Sequence, residues 1–379
     1  MRKLGAIILL VFALATPPAA RGGHETPIYP SYYPQEIRIE TVDAVSAAQF
    51  LRESKIHAYV GGEPSFSSAL PDSIGYVESL GSYVVLTLDP TSPLARDEAA
   101  GCTLAKTVIR GLGEGGEGFV FHPYPVTPYH ADYLNHFDLA AAAKTRILNG
   151  SVAAMAEPKV RATGALADKL VPPRWRTDGP ESDARIEEID VGGLVAGVRF
   201  FLNGWSGPPW LKEGWFHAYL LLAGALSGDG EKSLARALFQ RLRRGDYRKA
   251  EERITLERDL VSLLTGGCAK VVVGYTTKRE YFSSEYSAGI ENIAYDSHAG
   301  LNSAIFIRTV KLKDFPWNGW LRLGIGTEPS AAWNPMGGFS DEAGRLIWSA
   351  LGDPALFPEP YNAGWTLNRI GDVRSTAGW

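Results

Sequence analysis

Apolar positions along the chain fall into short blocks, some with a two-residue period and some with a helical one. E-I-R-I-E-T-V at 36–42 alternates as a half-buried strand does. Asp43 then stands where a helix N-cap belongs, ahead of Ala47, Phe50, Leu51 and Ser54 on one helical face. K-I-H-A-Y-V-G-G at 55–62 predicts a short strand closing on glycines. G-S-Y-V-V-L-T-L-D-P at 81–90 predicts an apolar strand stopped by Asp-Pro. A helix over 95–112 and a strand over 118–122 continue the alternation. Thr127 followed by Pro128 predicts a helix start, and Asn149-Gly150 a stop, for a helix ending near Leu148.

Residues 157–190 break this rhythm. They are charged and Pro-rich and read as an exposed connector. The run 186–202 is strand-like, and three helices are expected at 211–225, 231–244 and 246–265, the last stopped by Gly266-Gly267. Strands at 269–277 and 303–312 and a helix near 341–351 complete the pattern. Strands interleaved with helices define an α/β chain, with mixed sheets flanked by helices in two lobes. The expected division is residues 1–20, a first α/β lobe over 21–156, the connector 157–190, and a second lobe over 191–379 with a Trp- and Gly-rich tail.

Residues 1–20 (M-R-K-L-G-A-I-I-L-L-V-F-A-L-A-T-P-P-A-A) have the basic, apolar and small-residue order of a signal peptide. The apolar run is shorter than the ~20 residues a membrane span needs. Export to the periplasm or outside the cell is therefore expected. With 38 Lys+Arg against 42 Asp+Glu and no long basic run, nucleic acid is a poor partner. The two cysteines, Cys102 and Cys268, lack metal or redox spacing, and in an oxidising compartment they are candidates for one disulfide.

Candidate chemistry gathers in F-H-P-Y-P-V-T-P-Y-H-A-D-Y-L-N-H-F-D at 121–138. On the expected helix His130 and His136 lie roughly 120° apart, so they do not converge on one ion. His122 and His130 form the alternative pair for copper or zinc, needing a third ligand such as His24, Asp132 or His57. Otherwise Tyr124, Thr127 and His130, at a helix N-terminus, suit an anionic ligand without any cofactor. G-W-S-G at 204–207 lacks the spacing of a nucleophile elbow, and no acid/base pair declares itself, so an enzyme is not indicated.

The segment V-V-V-G-Y-T-T-K-R-E-Y-F-S-S-E-Y at 271–286 resembles a motif of type II periplasmic solute-binding proteins, in which G-x-T leads to Arg and then F-S-x-x-Y. The resemblance implies a periplasmic-binding-protein-like fold. It also implies that Thr276 and Arg279, completed by Phe282, Ser283 and Tyr286, hold a carboxylate between lobes; an Arg fork grips such a group bidentately. Three readings stand: capture of a small polar or anionic solute for a transporter or a periplasmic enzyme; an exported copper or zinc protein; and a non-catalytic subunit of a periplasmic complex.

Overall fold

The computed structural model describes residues 32–370, apart from 33, 68, 114, 117, 150–155, 180, 197–200, 203, 204, 207, 331–340, 353 and 369. The expected signal peptide and His24 lie outside the described residues, as do parts of 204–207. An eight-stranded mixed sheet organises the chain. Its strands are β1 (Glu36–Thr41), β2 (Ala58–Val60), β3 (Ile74–Leu88), β4 (Phe119–Phe121), β5 (Val160–Thr163), β6 (Ala184–Asp190), β7 (Lys270–Ser283) and β8 (Trp320–Ile325). They run in the order β1-β8-β2-β7-β3-β6-β5, with β4 paired to β7.

Two long antiparallel strands, β3 and β7, carry the sheet from one lobe into the other. The first half of β3 (74–80) pairs with the second half of β7 (277–283), beside β2. Its second half (83–88) pairs with 270–275 of β7 and with β6. The register slips between Leu80 and Tyr83, and the amide of Ser82 donates to Thr276 Oγ1 at 2.8 Å. A side chain at Gly81 would press on that hydroxyl, so glycine is what lets the bulge close.

Each lobe has its own core. In the first, Val77, Ala58, Val60, Leu321, Leu323 and Ile325 pack with Phe306, Ile307 and Leu346. In the second, alternate residues of β3 serve opposite faces. Val84, Leu86 and Leu88 meet Leu104, Val108 and Ile109 of the helix α2 (Glu98–Gly111). Tyr83 and Val85 meet three helices: α4 (Gly214–Leu222), α5 (Asp229–Arg244) and α6 (Ala250–Leu264). Asp43 caps α1 (Ala44–Arg52), accepting from the amides of Val45 and Ser46 at 3.0 Å. Among the described residues no helix is long and apolar enough to cross a membrane. The apolar α4 is instead buried through Trp215, Phe216, Ala218 and Leu221.

Four sequence expectations need correction. Residues 157–190 are not an exposed connector: they supply β5 and β6, with Val160, Trp175 and Ile186 buried. The lobes therefore do not divide at that segment. The first draws on both ends of the chain and the second on its middle, because β3 and β7 each cross between them. Residues 186–202 are not one strand: most of β6 passes at once into a short helix, Val191–Ala196, and Phe201–Leu202 is a separate two-residue strand.

The expected helix from Pro128 begins nine residues late, as α3 (Phe137–Leu148). Asp132 is drawn instead to the start of α4, where it accepts from the amides of Gly214 (2.7 Å) and Trp215 (3.1 Å). Finally, 303–312 is not one strand. Ser303 caps the helix α7 (Ala304–Thr309) before a two-residue strand. All of Ile305–Thr309 is buried, and a run buried on every side shows no period by which to tell helix from strand.

Candidate functional site

The lobes meet through buried polar groups beside the β3 bulge. From the first lobe comes the loop 296–300, held by the amide of Leu80 donating to the Ser297 carbonyl (2.9 Å). Asp296 Oδ1 accepts from the amides of His298 (2.9 Å) and Ala299 (3.0 Å), which sets the direction of His298. From the second lobe, Lys212 reaches across to Asp296 Oδ2 and to the Glu359 carbonyl. Both members of this ion pair are buried, so it fixes the register of the lobes while recovering only part of its own desolvation.

Behind this pair sits a cluster of rings. Tyr83, fully buried at the bulge, lies 2.9 Å from His130 Nε2 and 3.0 Å from His217 Nδ1 through its hydroxyl. His217 Nε2 donates to the Leu211 carbonyl at 2.8 Å. His130 Nδ1 faces Thr127, whose amide is 2.8 Å and hydroxyl 3.0 Å away. His298 completes the group from the other lobe, its ring 5.2 Å from that of His130 and 5.3 Å from that of His217. Burial, then the neighbouring His217, holds His130 well below the ordinary imidazole range. Burial likewise pushes the Tyr83 phenol up. Tyr83 and His130 are therefore uncharged at neutral pH.

On the far side of the 130–136 segment lies a nest of buried acids, Asp132, Glu213 and Glu257. Arg253 pairs with Glu213 and, at 2.6 Å, with Glu257. Asn135 donates to Glu257 at 3.2 Å and the Trp215 indole donates to Glu213. Desolvation, then the lowering pull of the Gly214 amide and the raising charge of Glu257, leaves Asp132 pushed up to about 7. Desolvation and the charge of Asp132 push Glu213 up to about 8, even against Arg253. Burial lowers His57 and His136 to about 4 each and lowers His122 as well.

These shifts predict the pH profile of stability. An unfolded carboxyl titrates near ~4, so above that the native chain holds protons on Glu213 and Asp132 that the unfolded chain has lost. Their stabilisation is therefore lost as pH rises toward 7 and 8. The buried histidines act oppositely: the native chain takes up fewer protons than the unfolded one, so stability falls as pH drops from 6.5 toward 4. Between those limits the four histidines, His57, His122, His130 and His136, outweigh the two acids; above them only the acids act. Urea midpoints measured across the range should peak near pH ~6.5 and fall on both sides. A level profile from pH 5 to 8 would contradict the assignment.

The residues expected at the site are only partly brought together. Thr276 closes the bulge, and Arg279 lies three residues further along β7, its Nε 2.9 Å from Glu78 and its guanidinium 4.5 Å over Tyr76. Ser283 is buried at the far end of the strand, 3.5 Å from Ser54 Oγ. Seven strand residues separate it from Thr276 by about 23 Å. Tyr286 is 92% exposed. The four do not form one ligand site, because an extended strand spreads what a loop would gather.

Tyr124 is buried with its hydroxyl 3.0 Å from His136 Nδ1. Thr127 and His130 belong to the ring cluster. His122 does not join His130 as a ligand pair, since its Nε2 donates to the Val126 carbonyl at 2.9 Å. Nor do Asp132 and His57 supply a third ligand there: Asp132 caps α4, and His57 lies with Arg322, whose amide is 3.0 Å from its Nδ1.

Arg279 and the loop before His130 are close enough to interact electrostatically. Tyr129, partly buried, feels the charges of Glu78 and Arg279 and is pushed up to about 12, chiefly by desolvation. Its ring lies 5.9 Å from that of Tyr275. Sequence reading missed Tyr83, His217 and His298. A histidine inside the apolar run W-F-H-A-Y-L-L-L was a usable signal for His217; nothing in D-S-H-A-G marks His298.

The architecture is that of a mixed α/β protein with one large sheet flanked by helices, and it bears a distant structural likeness to periplasmic binding proteins. DppA of Helicobacter pylori, an ABC transporter-associated protein solved with the peptide STSA, is 12% identical, with a TM-score of 0.37 over 72% of this chain and 55% of its own. OppA of Haemophilus influenzae, solved with RPPGFSPFR, is 10% identical, with a TM-score of 0.36 over 71% of this chain and 56% of its own. NikA of Brucella suis, solved with Fe(III)-EDTA, is 12% identical, with a TM-score of 0.35 over 68% and 58%. The chain spans a little over half the length of these structures. No family model matches the sequence, and no curated relative matches it.

Proposed function

We propose that this chain is an exported solute-binding protein that takes a small polar or anionic ligand at the seam between its lobes. The observation that carries the reading is the setting of Arg279. It stands on a strand shared by both lobes, three residues from the bulge, with Glu78 as its ion partner and Tyr76 beneath it. Tyr275, four residues earlier on the same strand, packs against Tyr129, which feels the charge of Arg279, so both could add aromatic surface and hydroxyl groups. A carboxylate or oxyanion would replace Glu78 on the guanidinium fork, the exchange that bidentate Arg geometry favours. Ligand contacts to both lobes would then favour the state in which they are drawn together. Captured solute would be delivered to a membrane transporter or to a periplasmic enzyme.

A thermal-shift screen of amino acids, organic acids, oxyanions and short peptides tests this. A ligand at a hundred times its Kd stabilises by about 2.7 kcal/mol, a shift of several degrees. Arg279→Met should then weaken the bound compound at least about tenfold, or ~1.4 kcal/mol. The reading falls if no compound raises the midpoint, or if Arg279→Met binds the hit as tightly as the natural chain.

A further inference from the structure

We propose that His130, His217 and His298 form a transition-metal site, with Tyr83 as a fourth ligand, that takes zinc or copper(II). The three side chains come from the loop after β4, from α4, and from the 296–300 loop of the opposite lobe. Each offers a ligand atom, and these atoms all lie within 4.8 Å of one another. The rings are set edge to face around a common centre: His130 and His217 are 4.7 Å apart at 82°, and His298 meets them at 60° and 65°. A tetrahedral ion with metal–nitrogen bonds of ~2.0 Å needs nitrogens about 3.3 Å apart. The cluster therefore needs to contract by at most about 1.5 Å to hold one.

Two further features favour an ion over simple ring packing. Metal-binding imidazoles have their outer nitrogen fixed by a hydrogen-bond partner. His217 Nε2 is fixed by the Leu211 carbonyl (2.8 Å), which turns Nδ1 inward. His298 Nδ1 is 3.0 Å from Ser297 Oγ. His130 Nδ1 has the Thr127 hydroxyl at 3.0 Å and carbonyl at 3.3 Å beside the Thr127 amide at 2.8 Å, so ligation through Nε2 requires the proton on Nδ1, with the Thr127 amide turned away. The second feature is the position of Tyr83 Oη, 2.9 and 3.0 Å from the inward nitrogens of His130 and His217. Those separations are close to the edge of a four-coordinate polyhedron. Neutral imidazoles suit zinc and copper(II), and Tyr83 would join them as phenolate, its proton released to solvent on binding, while calcium and magnesium prefer carboxylates. Because His298 comes from the other lobe, a bound ion would tie the lobes together beside the Lys212–Asp296 pair.

The test uses the full chain produced without a histidine tag, stripped with chelator and titrated with cobalt(II), zinc and copper(II). One equivalent of cobalt should bind with visible bands of nitrogen and oxygen ligation, and zinc should displace it. Electron paramagnetic resonance of the copper form should show coupling to several imidazole nitrogens. His298→Gln, a change in a partly buried loop, should weaken zinc at least about tenfold while its metal-free unfolding midpoint stays near that of the natural chain. His122→Gln should bind as the natural chain does. Should His217→Gln fail to fold, Tyr83→Phe provides a second probe, with altered cobalt bands expected. The proposal is overturned if the natural chain takes up no stoichiometric metal, if His298→Gln binds with unchanged affinity, or if His122→Gln loses the ion.

Discussion

Replacing Arg253 with methionine is expected to lower the stability of the protein by about 3–5 kcal/mol, the range found when one member of a buried charge network is removed. Arg253 is the cation between Glu213 and Glu257, which are 4% and 0% exposed along their side chains. Asp132 lies in the same nest, its charge acting on Glu213. Methionine keeps much of the stem packing, so the loss reports the charge and not a cavity. Stranded carboxylates escape part of this cost by taking up protons. The penalty should therefore be larger at pH 8 than at pH 5, and Arg253→Lys should recover part of it. Urea unfolding of the three proteins at both pH values measures this. A methionine variant as stable as the natural chain, with the same pH profile, would show that the nest is solvated and that Glu213 titrates as a surface acid does.

The second large effect is expected from the disulfide. Cys102, on α2, is bonded to Cys268, just before β7, across a sequence separation of 166 residues with Cα atoms 5.0 Å apart. In the chain-entropy picture, a loop of this length restricts the unfolded state by about 5 kcal/mol, and losses on removing natural bridges run to about 2–5 kcal/mol. The double variant Cys102→Ala, Cys268→Ala should therefore lose about 3–5 kcal/mol in denaturant unfolding, with a steeper slope from a more expanded unfolded chain. Both ends belong to the second lobe, with Cys268 packed against its outer core. The metal-free geometry at the lobe seam should survive, and ligand binding through Arg279 with it. A loss below about 1 kcal/mol would mean that the unfolded chain is already compact around these segments.

The same bridge shows what sequence reading reaches. Two cysteines allow only one intramolecular pairing; the apolar run of β3 was legible because it is buried on both faces, and helical spacing marked α5, which has one face against a core. Asp43 announced α1 because a cap is a local interaction. Local signals failed where the partner is distant. The helix after Pro128 was displaced by Asp132 reaching α4, and 303–312 hid a helix because no face of it meets water. Residues 157–190 looked like a connector because the charged side chains of their strand and turns conceal Val160 and Ile186.

The amino-acid sequence by itself determined the α/β class, the cysteine pair and those strands and helices whose signals are local, such as α1 and β3. It also placed Arg279 and the 121–138 segment among the groups of interest. Tertiary structure alone decided that β3 and β7 run through both lobes. It also decided that Arg279 meets Glu78 and that Tyr83, His130, His217 and His298 come together from four separated segments. The physical reason is range: propensity, capping and periodicity act within a few residues, whereas a site is assembled by strand order and by side chains that find their partners only once the sheet has closed.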